Sequence, residues 1–278
     1  MAPLRRGALL LIGLMLVVTA CQGSGGDALA RVKSAGKIVV STDPNYPPQS
    51  LLNEDNQFEG FDIDVANEIA KRLGVKAEFL ATDFSAVTAG NWANRWDMSV
   101  GSVTITPERS QVLDFTQPYY YTPAQMATRP DTGITTLDGF ANKTVCVGAD
   151  TTYLAWLNGT LKLPESAGPI TPPPAGVKAT TLETDINCAE AWKAGRNDAD
   201  GWLSASETVQ GAIDDGFPVV AVGDPVFFEP LAVAFDKSVK DNDSLVKAVD
   251  DIIGKMHEDG TLKQLSEKWY GGRDLTTQ

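Results

Sequence analysis

The chain has 278 residues, 43% hydrophobic and 21% charged, with a formal net charge of −13. An acidic balance of 36 Asp and Glu against 23 Lys and Arg repels nucleic acid and anionic headgroups, which excludes both as partners. One histidine and three cysteines leave little material for a metal centre, no cofactor motif is present, and the length suffices for two lobes with separate cores.

The first residues read as an export signal. Arg5 and Arg6 form a basic start, residues 8–18 are apolar, and Val18-Thr19-Ala20-Cys21 closes the run. That run rises only about 16 Å as a helix, about half a bilayer's hydrocarbon core, so a spanning helix is disfavoured. Small residues before a cysteine look like a lipobox: residues 1–20 are the signal peptide and Cys21 becomes the lipidated residue. The alternatives are an ordinary secretory signal or, from the paired arginines, twin-arginine export, although the rest of that consensus is absent. Residues 21–35, with QGSGG after Cys21, then form a flexible tether.

Beyond the tether the β-branched run over residues 37–42 predicts a strand, stopped by Asp43-Pro44 and Pro47-Pro48. Phe61, Val65, Ile69 and Leu73 recur at helical spacing before Gly74, where a C-terminal cap belongs. A strand over 77–80, a helix over 82–94 and a strand over 97–105 follow, so the opening is a parallel α/β sheet. The last of these strands delivers GSVTITPERSQVLDFTQPYYY, residues 101–121, in which hydroxyls at Ser102, Thr104 and Thr106 precede Pro107 and Arg109. A guanidinium fork with neighbouring hydroxyls and free amides is suited to trapping a carboxylate; an isolated Arg109 would be read instead as a solvated surface charge. Further on, strands are expected over 143–148, 198–203, 218–222 and 231–235, and helices after Thr152, over 188–193, over 206–215 and through the C-terminal region. Residues 164–176 are too proline-rich for a regular element. His257 sits beside a helical apolar pattern and reads as a surface residue.

The 101–121 segment closely resembles the ligand-carboxylate motif of the bacterial family 3 solute-binding proteins, which capture polar amino acids for ABC importers. STDPNYPP (41–48), GFDIDVANEIAKRLG (60–74) and DGTLKQLSEKWYGG (259–272) resemble the same family in the same order. The resemblance implies a type II periplasmic-binding-protein fold: lobe 1 from residues 36–125 and 229–272, lobe 2 from 126–228, two hinge crossovers, and a tail over 273–278. Ligands in such lobes bind beyond the carboxyl ends of the strands, and hinge closure buries them. KTVCVGADTTY and INCAEAWKAGR resemble a glutamate-binding branch in which the two cysteines pair. With Cys21 assigned to lipid, Cys146 and Cys188 remain as an even pair in an exported chain, and a disulfide is expected.

Site residues carry over by the same resemblance. Asp43 and Tyr46 match first-lobe pocket residues, Phe84 an apolar or aromatic wall, and Gly101, Ser102 and Thr104 the ligand-bonding strand. Arg109 matches the carboxylate clamp, and Thr152 the second-lobe residue that meets the same carboxylate. The aspartate that usually receives the ammonium falls here on Leu203, and Asp150 stands where a small residue is usual. Asp43, Asp150, Asp200 or Glu207 could replace that aspartate, and Trp202, Phe84 and Tyr46 could form an aromatic box for a methylated cation. The expected protein is a monomeric, lipid-anchored receptor handing a small zwitterion to an ABC permease and preferring neutral or cationic solutes to glutamate. The competing expectations are an exported prephenate-type dehydratase on the same fold and a ligand-sensing domain.

Overall fold

The computed structural model describes residues 27–277; Cys21 and the apolar run before it lie outside the described residues. Helix α1 (Ala28–Ala35) starts where the Asp27 carboxylate accepts a hydrogen bond from the Ala30 amide at 2.9 Å, and stops at Gly36 in the left-handed conformation. The tether expected to extend to residue 35 is therefore helical from residue 28, because Ala28 and Val32 present an apolar face that buries in the lobe 1 core.

Strands β1 (Lys37–Thr42), β2 (Asn45–Tyr46), β3 (Ser50–Leu52) and β4 (Phe58–Glu59) precede helix α2 (Phe61–Leu73). Gly60 enters α2 at φ 132°, and a Cβ there would meet the Gln49 carbonyl oxygen at 2.2 Å, so only glycine fits this turn. Strand β5 (Lys76–Ala81), helix α3 (Phe84–Thr88) and strand β6 (Met98–Thr104) follow. The helix expected over 82–94 is confined to Phe84–Thr88, since Asn91, Ala93 and Asn94 take positive φ and the Asn91 and Trp92 amides turn to the Asp236 carboxylate. After β7 (Leu113–Phe115), the long strand β8 (Tyr120–Thr128) leaves this lobe.

Lobe 2 comprises β9 (Thr144–Gly148), α4 (Thr152–Leu157), β10 (Lys178–Leu182), α5 (Ile186–Lys193), β11 (Gly201–Ala205), α6 (Ser206–Asp214) and β12 (Val220–Ala221). Strand β10 was not expected: it is an edge strand whose lysine and threonines give a mostly exposed pattern without apolar alternation. Strand β13 (Phe227–Asp236) returns, and α7 (Asp243–Glu258) and α8 (Thr261–Trp269) close lobe 1. His257 is half-buried rather than on the open surface, with Nε2 2.8 Å from the Pro118 carbonyl.

One sheet runs through both lobes in the order β10-β9-β11-β8-β13-β6-β1-β5. β1 lies parallel to β5 and β6, and β9 parallel to β10 and β11, while β8 and β13 pair antiparallel at the centre. β13 opposes Ala124 with Phe227 near the lobe 2 end and Thr104 with Leu231 at the lobe 1 end, so Glu229, opposite Thr122, lies on the crossover itself. Lobe 1 is filled mainly by α2, α7 and the inward faces of β1, β6 and β13. Lobe 2 is packed on both faces of its sheet, with Cys146 on β9 disulfide-bonded to Cys188 on α5. The residues expected as a tail pack against the crossover: the Tyr121 amide donates to Leu275 O at 2.7 Å, and Arg273 lies 3.4 Å from Glu207 of lobe 2.

Candidate functional site

Between the lobes lies a cleft lined by Asp43, Tyr46, Phe84, Gly101, Ser102, Thr104 and Arg109 from lobe 1, and by residues 149, 151–153 and 183–185 from lobe 2. Glu229 and Leu231 of the crossover complete it.

Arg109 is placed by the turn that follows β6. The Thr106 hydroxyl accepts the Arg109 amide at 3.1 Å, which turns the chain back and sends the guanidinium inward over the Phe84 ring, 5.1 Å from its centroid. Nη1 donates to the Thr104 carbonyl at 3.1 Å and Nη2 to the Asp150 carbonyl at 3.0 Å. Burial pushes its pKa down to about 10, which still leaves it cationic at neutral pH. Asp150 thus meets Arg109 through its backbone: its φ of 57° turns the carbonyl toward the guanidinium. A guanidinium anchored by two carbonyls and bonded to no carboxylate is poised for a ligand anion.

Opposite it, Glu229 is 2% exposed. Its Oε1 accepts the Thr104 hydroxyl at 2.7 Å and the Thr152 hydroxyl from the first residue of α4, with Tyr153 alongside. Burial raises its pKa, against the opposing effect of the hydroxyls and of Arg109. Thr151 fixes this end of α4 by accepting the Leu154 amide at 3.2 Å and donating to the Gly148 carbonyl at 2.9 Å. The hydroxyls of Thr104 and Thr152, expected on a ligand carboxylate, are therefore engaged by Glu229.

Ser102 borders the cleft, but its hydroxyl points beneath it. At φ 53°, Ser102 donates to Asp62 Oδ2 at 2.8 Å and lies 2.6 Å from the Tyr120 hydroxyl, while the Tyr119 hydroxyl donates to Asp62 Oδ1 at 2.8 Å. Burial pushes Asp62 up to about 7. On the cleft wall, Asp43 accepts the Asn45 amide at 2.8 Å and is raised to about 6, and Asp185 accepts the Gly148 amide at 2.6 Å and is raised to about 8, both chiefly by desolvation. Asn45 Nδ2 reaches Thr184 Oγ1 at 3.4 Å, so the lobes touch across the cleft at several points.

Two expectations fail on geometry. Trp202 does not line the cleft: it is fully buried in lobe 2 against Cys146 and Trp192, because alternation along β11 turns it to the sheet face that α5 and α6 cover. The aromatic wall is Phe84, Tyr46 and Tyr153 instead. Leu203 points to the opposite face and packs with Met126 and Val145, so the cleft leaves no place for it either. Of the suggested replacements for the missing aspartate, Asp200 pairs with Lys143 and the Thr144 amide at the far end of β11, and Glu207 is buried against Thr122 and Arg273. Sequence reasoning missed Glu229, Glu183, Thr184 and Asp185. The legible signal for Glu229 was a lone acid inside the apolar run FFEPLAVAF.

Bacterial extracellular solute-binding proteins, family 3, match this chain over residues 38–272. The L-cystine-binding protein TcyJ of Escherichia coli K12 is 32% identical over 252 residues, covering 89% of this chain and 87% of the relative. The arginine-binding extracellular protein ArtP of Bacillus subtilis is 25% identical, covering 97% and 99%. Among solved structures, the ancestral amino acid-binding protein AncCDT-1, a precursor of cyclohexadienyl dehydratase, superposes with a TM-score of 0.73 at 28% identity, covering 87% of this chain and 99% of that one. An ancestral arginine-binding protein bound to arginine gives 0.71 at 26%, covering 84% and 98%. A two-lobe α/β architecture with a single sheet threaded through two crossovers, a cleft floored by Arg109, and a match across nearly all the described residues converge: the chain belongs to the bacterial extracellular solute-binding proteins, family 3.

Proposed function

We propose that this protein is a lipid-anchored extracytoplasmic receptor that captures a small polar amino acid or related zwitterion and delivers it to an ABC importer. The observation that carries the reading is Arg109, a buried cation in an interlobe cleft whose bonds go to carbonyl groups and to no acid. Residues 36–125 and 229–272 act as one lobe and 126–228 as the other, closing over Asp43, Tyr46, Phe84, Gly101, Ser102, Thr104, Arg109, Asp150 and Thr152. Lipid on Cys21, on the extracytoplasmic side, keeps the receptor beside its permease, and it works as a monomer. Binding without chemistry is supported by the names of the relatives, which bind cystine and arginine. The dehydratase reading draws on a structural neighbour that is an amino acid-binding precursor of a dehydratase.

The lining favours a ligand that brings positive charge. Asp43, Glu183, Asp185 and Glu229 line the cleft with one Arg109; Asp185, raised to about 8, holds its proton at neutral pH, and an anionic side chain would still meet repulsion from the ionised acids. Calorimetry of the full-length protein in detergent with L-cystine, L-arginine, L-glutamine and L-glutamate tests this. Glutamate should bind weakest of the four; glutamate binding tightest would overturn the charge argument, and no binding by any would overturn the amino acid reading.

A further inference from the structure

Arg109 and Glu229 are a basic and an acidic side chain on one cleft floor, and neither forms an ion pair with any described residue. Arg109 gives its Nη donors to the Thr104 and Asp150 carbonyls, and Glu229 accepts the Thr104 and Thr152 hydroxyls. Thr104 holds both, one through its carbonyl and the other through its side chain, which fixes them side by side without contact. Of all carboxylates, Glu229 exerts the strongest field on Arg109. A buried charge without a counter-charge is strongly unfavourable, and two such charges flanking a cavity are complementary to a molecule carrying both signs on neighbouring atoms.

The hydroxyls decide which group meets which charge. Each threonine hydroxyl has one proton to donate, and both protons go to Glu229. The same hydroxyls cannot donate to a ligand carboxylate while Glu229 keeps its place, so the ligand carboxylate falls to the Arg109 fork and the carboxylate of Glu229 is left facing the cavity. Asp43 and Asp185 each already accept a backbone amide on the cleft wall.

We infer that Glu229, on the crossover strand, is the receptor for a primary ammonium on the carbon bearing the ligand carboxylate, and so sets the selectivity of the site. This rests on the amino acid reading above. It also gives β13 a direct part in closure: the ammonium would bond to Glu229 of the hinge while Thr152 of lobe 2 and Thr104 of lobe 1 hold the Glu229 carboxylate.

The test is calorimetry on full-length wild type and Glu229→Gln, using whichever of L-arginine, L-cystine, L-glutamine and L-histidine binds wild type best, beside its analogue lacking the α-ammonium. Glutamine keeps an acceptor for both threonine hydroxyls, and an unchanged melting temperature without ligand checks the fold. Glu229→Gln should weaken the amino acid about ten- to a hundredfold and leave the ammonium-free analogue bound as well as, or better than, by wild type. Equal or tighter binding of the amino acid would show that Glu229 competes with the ligand carboxylate, and a parallel loss for both ligands would show a packing role; either overturns the assignment. If wild type binds no amino acid, the amino acid reading falls and agmatine, a cation without a carboxylate, decides for Glu229. Stabilisation by agmatine that Glu229→Gln abolishes supports it; no such stabilisation overturns it.

Discussion

Asp62 and Glu229 are both fully or almost fully buried carboxylates with raised pKa and no ion pair, yet they sit in opposite kinds of surroundings. Asp62 takes one hydroxyl on each oxygen, from Tyr119 and Ser102 of its own lobe, and the Tyr119, Tyr120 and Phe61 rings seal it in. Glu229 takes hydroxyls from both lobes and lines the cleft. Burial and a perturbed pKa alone do not separate a structural carboxylate from a binding one. What separates them is whether the partners come from one lobe or from both, and whether an open face remains. The comparison predicts that stability and affinity respond to different residues.

The largest effect should fall on stability. Reducing the Cys146–Cys188 bridge, which spans 42 residues of sequence within lobe 2, removes about 4 kcal/mol in the chain-entropy model. Thermal unfolding with and without reductant measures it, and ligand affinity should change far less. Replacing Asp62 by alanine strands the buried Ser102 and Tyr119 hydroxyls and should lower stability by about 3 kcal/mol in denaturant titrations. A stable Asp62→Ala protein with lost binding would place Asp62 with the ligand and break the distinction.

Arg109→Ala should do the reverse, weakening a carboxylate ligand by about 1.5 to 3 kcal/mol, or about ten- to a hundredfold, with melting nearly unchanged. Affinity equal to wild type in calorimetry would remove Arg109 as the clamp.

The last effect is a slope, and per pH unit it is the smallest. Asp62 is raised from 3.8 to about 7 by burial, so the folded state holds its proton where the unfolded state has lost it. The folded state then binds more protons, and stability falls as pH rises between about 4 and 7, by at most about 1.4 kcal/mol per pH unit. Stability from this carboxyl is fully present below its unfolded pKa and is lost through its folded one. Urea unfolding at pH 5, 6 and 7 should show a flatter slope in Asp62→Asn than in wild type; equal slopes would mean that Asp62 stays ionised in the fold.

Much of the scaffold was legible locally. The spacing of Phe61, Val65, Ile69 and Leu73 before Gly74 gave α2 almost to the residue, because a one-sided apolar stripe and a left-handed glycine are properties of a short segment. The 198–203 strand was legible in kind and shifted in place: it runs from Gly201 to Ala205, and the shift moved Leu203 and Trp202 from an expected cleft wall into two cores. Ligands meet the carboxyl ends of strands, so moving the end of this strand from residue 203 to 205 takes Trp202 and Leu203 off the cleft edge and onto the two covered faces of the sheet. β10 escaped notice because its residues carry no alternation, and the early end of α3 because its cause, Asp236, lies 144 residues away from Trp92.

By itself the sequence determined the elements with a clear apolar period, such as α2, which motifs accompany Arg109, and that two cysteines were left to pair, since each follows from neighbouring residues or from ordered motifs. Only the tertiary structure decided which acids face the cleft. Asp62, Asp200, Glu207 and Glu229 are alike as letters in a chain; the first is sealed by tyrosines, the second ties Lys143, the third meets Arg273, and the last reaches the cleft. A charge acquires its role from what surrounds it in three dimensions, because desolvation and Coulomb attraction fall off with distance in space and take no account of distance along the chain.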